Sequence, residues 1–159
     1  MNKAKIVKKL EDSAITAAVK SQMLTDKRIL VLGIEVTTND GIVKLSGEVN
    51  SDDAFYSAIQ IAYGTLGVED VDPSELRVVP DSNHLIEDGI ITAKVKGLFL
   101  KEEIFGEMPL KLISVNVTTT NNVVHLKGRI DTEEEAMEAE NLAKQVNGVK
   151  EVVNELEYE

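Results

Sequence analysis

The chain of 159 residues has no cysteine, no tryptophan, three prolines and only six aromatic residues. Without thiols there is no disulfide, no thiolate nucleophile and no iron–sulfur or cysteine-type zinc site. Few aromatics leave little for nucleic-acid bases to stack on. The 28 acidic against 17 basic residues give a formal charge of −11, which repels phosphate backbones and argues against a general nucleic-acid binder. No stretch approaches the ~20 apolar residues needed to cross a bilayer. The two histidines, His84 and His125, are dispersed and show no metal-ligand spacing. Phosphate-loop, dinucleotide-binding and nucleophile-elbow signatures are all missing. With no carboxylate pair aimed into a cleft, the expectation is a non-enzyme without metal or cofactor.

An apolar fraction of 43% supplies a core, and 28% charged residues is the globular norm. The N-terminus carries Lys3, Lys5, Lys8 and Lys9 around Ile6, Val7 and Leu10. It resembles the basic start of a secretory signal, but Glu11 and Asp12 stand where an apolar segment should follow. The sequence as written is therefore expected to lack an export signal, leaving either a cytoplasmic protein or one whose signal has been removed.

A repeat organises the rest. Residues 12–20 are echoed by 88–96 at an offset of 76, and 34–49 by 115–130 at an offset of 81, so the second copy holds a five-residue insertion between these blocks. In each copy Ile15, Ala18, Val19 and Met23, or Ile91, Val95, Leu98 and Phe99, recur at helical spacing. Two alternating runs follow, with Val43, Leu45 and Val49, or Val124, Leu126 and Ile130, on the inward side. Asp40-Gly41 and Asn121-Asn122 suit type I′ hairpin turns. Ser51 and Thr132 supply N-caps for a second helix. The apolar face of that helix is Phe55, Ala58, Ala62 and Leu66 in one copy and Ala136, Ala139, Ala143 and Val146 in the other, with Gly67 and Gly148 ending it. A last strand closes each copy; in the first it meets Pro73, which predicts a bend or an edge position. The reading is α+β: two tandem α-β-β-α-β units, each a three-stranded mixed sheet with two helices on one face, over residues 10–79 and 85–159, joined by a linker at 80–84.

The ordered set resembles the BON domain, named for bacterial osmotically inducible and nodulation proteins. It consists of the helix motif, the hairpins Gly41–Val49 and Val123–Ile130, and the close from Gly148 through Asn154 to Leu156. A tandem pair with little else is similar to the hyperosmotically inducible periplasmic members of that family. The resemblance implies a periplasmic, non-catalytic role in osmotic or envelope stress, touching phospholipid or envelope proteins. A chaperone-like client-binding module, or a potassium-responsive cytoplasmic one, is the alternative. Copy one departs from the pattern at Pro73, where the closing Asn is lost, and copy two at Asn122, which replaces the turn Gly.

Candidate contact residues are few. The Lys3, Lys5, Lys8 and Lys9 start could extend the first helix as a basic amphipathic turn suited to anionic lipid. The insertion places Ile104, Phe105, Met108 and Leu110 in a loop. Exposed, they would make an apolar tip for lipid or a client chain; buried, they would seal a sheet end or the interface between the copies, and burial is the expectation. Gly47 and Gly128 interrupt strands at inward positions, where close packing, with helix two crossing there, is expected. Ten acids against two lysines between Asp131 and Glu159 read as a solvated helix face.

Overall fold

The computed structural model describes residues 3–25, 33–79, 87–105 and 115–158, with backbone alone for 3–10 and 105. The chain divides into two compact units, Met1–Leu85 and Ile86–Glu159. The first contains α1 (Lys3–Leu24), β1 (Ile34–Asn39), β2 (Ile42–Val49), α2 (Asp52–Tyr63) and β3 (Asp70–Val78). The second contains α3 (Glu87–Phe105), β4 (Val115–Thr120), β5 (Val123–Arg129), α4 (Glu133–Lys144) and β6 (Glu151–Glu157). Each unit has a three-stranded mixed sheet, ordered β1-β2-β3 and β4-β5-β6. The hairpin is antiparallel, and the strand after the crossover helix pairs parallel to the central one. The fold is the α+β repeat that the sequence predicts. The proposed linker at 80–84 lies outside the described residues.

The alternating strand residues build the core. Val43, Leu45, Val49, Val124, Leu126 and Ile130 are all buried, facing Val19, Met23, Phe55, Ala58 and Ala62 in one unit and Ile91, Val95, Ala139 and Ala143 in the other. Alanines let α2 and α4 lie close on the sheet. Ser51 and Thr132 cap these helices, accepting hydrogen bonds from the Ala54 and Glu135 amides at 3.0 and 3.2 Å. Leu66, read as part of the α2 face, is instead 60% exposed, because α2 already stops at Tyr63. The helices therefore end before Gly67 and Gly148. Those glycines close the following turns at φ 92° and 97°, where an added Cβ would press on Ile15 or on Ile91 and Glu87.

The hairpin turns are type I′: Asp40 and Gly41 have φ 53° and 80°, Asn121 and Asn122 have 51° and 66°. Two left-handed residues in a row aim both turn amides outward in parallel. In each unit one carboxylate on the first helix accepts both. Asp12 takes the amides of Asp40 (2.9 Å) and Gly41 (3.0 Å), and Asp88 takes those of Asn121 and Asn122 (both 2.8 Å). One helical turn on, the hydroxyls of Thr16 and Thr38, and of Thr92 and Thr119, meet at 2.7 Å. The turn carbonyls of Gly41 and Asn122 in turn accept the Glu69 and Lys150 amides at 2.8 Å, tying the hairpin to the entry of the third strand.

The two units differ at the third strand and at the end of the first helix. In β3 the register shifts between Lys44 and Ser46, so that Pro73 and Ser74 together oppose Leu45. This β-bulge absorbs one extra residue, and because strand side chains alternate with period two it keeps Leu76 buried. In β6, which has no bulge, Asn154 donates to the Ala136 carbonyl at 2.9 Å and accepts from the Leu156 amide at 3.1 Å, bonds that Pro73 cannot make. At Gly47 the close approach is to the backbone of Gly33 and Ile34 rather than to helix two. An added Cβ would collide with the Gly33 carbonyl oxygen, and φ is 110°. Gly128 shares the left-handed geometry at φ 134°. Finally, the five-residue insertion lengthens α3 instead of making a loop: α1 and α3 are each followed by nine residues before the hairpin. Residues 101–105 are helical because nothing in Lys-Glu-Glu-Ile-Phe opposes helix.

Replacing Asp88 by Ala leaves two turn amides without their acceptor and should cost about 1–3 kcal/mol in urea unfolding, as should Asp12→Ala in the first unit. Gly47→Ala should cost roughly 1–3 kcal/mol, since it meets both backbone and an unfavourable φ. Burial, with Asp70 second, pushes the Tyr63 phenol up from 10.0 to about 12. The neutral phenol is thus favoured in the fold, so this stabilisation is complete below pH 10 and is lost as pH rises towards 12. Alkaline unfolding should steepen in that window, and less so in Tyr63→Phe.

Candidate functional site

The faces of the two units differ in chemistry. On the side of each sheet away from the helices, polar residues alternate with the core. Ion pairs cross that face from Lys44 to Glu75 (3.1 Å), Arg77 to Glu48 (3.9 Å) and Lys127 to Glu155 (4.0 Å). His125 sits on it in the position of Lys44. Charged and polar side chains dominate that face, although Ile42 is 45% exposed on it in the first unit. The outer face of α4 is acidic: Glu133 and Glu134 are exposed, and Glu140 pairs with Lys144 at 2.9 Å, a hydrogen bond that holds its carboxyl below the usual range. Met137 is exposed among these carboxylates.

One surface in the second unit joins apolar and basic groups. Along α3, Lys96, Leu100 and Ile104 follow at four-residue intervals, so they form one row on the helix side opposite Ile91, Val95 and Phe99. Lys96 is exposed, Leu100 is 40% exposed and Ile104 61%. Lys101 is half-buried beside them; burial lowers its ammonium pKa, and Glu102 works against that. The lengthened helix carries the row beyond the point where α1 stops.

Of the residues singled out from sequence, Lys3, Lys5, Lys8 and Lys9 fall in the first turns of α1, in the first unit. Ile104 and Phe105 are the last two residues of α3, in the second. They belong to a helix and not to a loop, and Ile104 is exposed where burial is expected, because the core-facing positions of α3 are already taken by Leu98 and Phe99. Met108 and Leu110 lie outside the described residues. Gly41, Gly47, Gly67, Gly128 and Gly148 all have positive φ and serve the backbone. Leu100 and Lys96 are not among the residues the sequence singles out. The available signal is that Leu100 falls off the Ile91, Val95, Leu98, Phe99 series and that both residues recur from the first copy.

Among the described residues no three His, Asp or Glu side chains are grouped to hold a metal ion, and no helix is long and apolar enough to cross a membrane. A BON-domain family model matches residues 11–80 and 87–159. The chain is 34% identical to osmotically-inducible protein Y of Escherichia coli over 92% of its length and 72% of that protein. It is 28% identical to the outer membrane lipoprotein DolP of Haemophilus influenzae over 94% of its length and 75% of that protein. Among solved structures, the C-terminal domain of CdsD, the structural protein of the type III secretion system of Chlamydia trachomatis, aligns with 91% of this chain and 65% of its own at 15% identity and a TM-score of 0.36. Two successive matches spanning nearly the whole sequence, one over each α-β-β-α-β unit, show that the chain belongs to the BON-domain family.

Proposed function

We propose that this protein is a non-catalytic envelope adaptor of osmotic stress that rests on anionic phospholipid through the C-terminal end of α3. The observation that carries the reading is the Lys96, Leu100, Ile104 row, the one place among the described residues of the second unit where exposed apolar side chains stand beside lysine. Leu100 and Ile104 would enter the headgroup region while Lys96 meets phosphates, each lysine near such a surface contributing about 1 kcal/mol. The basic turns Lys3–Lys9 of α1 supply further attraction from the other unit. An envelope location is supported by the kinship with an osmotically inducible protein and an outer membrane lipoprotein. The polar sheet faces and the acidic α4 make this a contact of limited area and not immersion.

Co-sedimentation with phosphatidylglycerol-containing vesicles at low salt tests the reading. Binding should be absent with phosphatidylcholine alone, weakened about tenfold by Ile104→Asp through lost apolar burial and added negative charge, and weakened again by deletion of residues 2–9. Failure of the unaltered chain to bind either vesicle rejects it. If the protein instead suppresses aggregation of an unfolded client without binding vesicles, the client-holding alternative takes its place.

A further inference from the structure

We infer that Asn147-Gly148, in the turn between α4 and β6, is a site of spontaneous succinimide chemistry, where the asparagine amide is lost and part of the backbone becomes isoaspartate. The reaction starts when the next residue's backbone nitrogen, stripped of its proton by solvent base, attacks the side-chain carbon Cγ. The N–Cγ bond forms, the Cγ–Nδ2 bond breaks and ammonia leaves, giving a cyclic imide. Water then opens the ring. Cleavage at Cγ yields aspartate; cleavage at the backbone carbonyl yields isoaspartate, whose main chain runs through Cγ. The nitrogen regains its proton, and no oxidant or cofactor takes part.

Asp40-Gly41, Asn121-Asn122 and Asn147-Gly148 each set an exposed Asp or Asn in a turn, and the last is the chain's one Asn-Gly pair. Their attacking nitrogens differ. The Gly41 amide donates to Asp12 at 3.0 Å and the Asn122 amide to Asp88 at 2.8 Å. Either would have to break a charge-assisted hydrogen bond and lose its proton beside a carboxylate before it could attack. The Gly148 amide donates to no acceptor among the described residues. Glycine also has no Cβ to obstruct the approach. In the first unit the equivalent turn is Leu66-Gly67, with Gly67 at φ 92° against 97° for Gly148, and the leucine has no amide to lose. Duplication has thus left this chemistry at one of two turns of the same shape.

The damage falls where β6 is tied to the hairpin. The Gly148 carbonyl accepts from Asn122 Nδ2 at 3.0 Å, and the Lys150 amide donates to the Asn122 carbonyl at 2.8 Å, just before Glu151 pairs with Val123. Isoaspartate inserts a methylene into the main chain ahead of all three, so the span from α4 to β6 no longer matches the ladder. Its carboxylate also adds negative charge to a turn where Glu87 Oε1 already lies 3.2 Å from the place a Gly148 Cβ would take.

The test ages the full chain in warm, mildly alkaline buffer, with and without unfolding guanidinium chloride. Peptide mass spectrometry follows the asparagines, and an isoaspartyl methyltransferase supplied with S-adenosylmethionine counts isoaspartate, including that formed at Asp40 without loss of ammonia. Asn147 should convert in the fold at close to its unfolded rate. Asn121 and Asp40 should convert about tenfold or more slowly folded than unfolded, the margin set by a hydrogen bond to a charged group. Asn147→Gln, whose longer side chain closes a ring far less readily, should lose the methyl-accepting signal in the peptide 145–150. Folded-state protection of Asn147 as large as that of Asn121, or no conversion at Asn147, overturns the site. Isoaspartate chains separated from the mixture should melt below the unaltered chain, while Asn147→Asp, which gains the charge and keeps the backbone, should melt close to it. Equal melting of all three overturns the consequence for β6.

Discussion

The architecture depends on one carboxylate in each unit. A type I′ turn leaves two adjacent backbone amides pointing away from the hairpin, where no strand can satisfy them, and Asp12 or Asp88 accepts both at 2.8–3.0 Å. Because the aspartate is fixed on its helix, this bond sets the height and rotation of that helix over the sheet. The threonine pair one turn along fixes the tilt. Everything else about the helix follows from its rotation: Ile15, Val19 and Met23, or Ile91, Val95 and Phe99, must face the strands, and Lys20 with Leu24, or Lys96 with Leu100, must face out. In α3 the surface proposed for lipid is therefore positioned by a pair of hydrogen bonds at the opposite end of the helix.

Much of this was legible in the sequence because it is local. Alternation with period two marks Val43, Leu45, Val124 and Leu126 as core, and Asp-Gly or Asn-Asn between such runs specifies the turn. The duplication doubles every signal. What escaped is what depends on distant neighbours. Gly47 reads as a site of close approach, yet only the folded chain shows that Gly33 is what approaches. Leu66 continues the helical spacing of α2, but the chain has left the helix by then. The insertion in the second copy reads as a loop because equivalence with the first copy stops there. In fact the helix runs on, and Ile104 is carried past the sheet into solvent. Asp12 and Asp88 are visible as repeated residues, but the turn they hold is 28 or more residues away.

The units have diverged around this shared frame in ways that alternation constrains. One extra residue in β3 would turn Leu76 out of the core, and the bulge at Pro73-Ser74 removes that penalty. The same proline suits an edge, where its missing amide costs no ladder bond and the kink discourages a further strand. In the second unit Asn154 performs a different task, pinning β6 to the start of α4. The surface has diverged as well, with acid concentrated on α4 while the ends of α1 and α3 keep lysine and leucine.

The ion pairs across the open sheet faces bear on a protein similar to one named as osmotically inducible. Their side chains are 45–78% exposed, so each is worth little and fades further as added salt shortens the screening length from about 10 Å at 0.1 M towards about 3 Å at 1 M. The apolar interiors and the amide-bound aspartates do not rest on those pairs. A rise in ionic strength thus passes over the framework and acts on the exterior; in the lipid contact proposed above it would weaken lysine–headgroup attraction and leave leucine burial untouched. On that proposal adhesion, not folding, is what the surrounding electrolyte would tune.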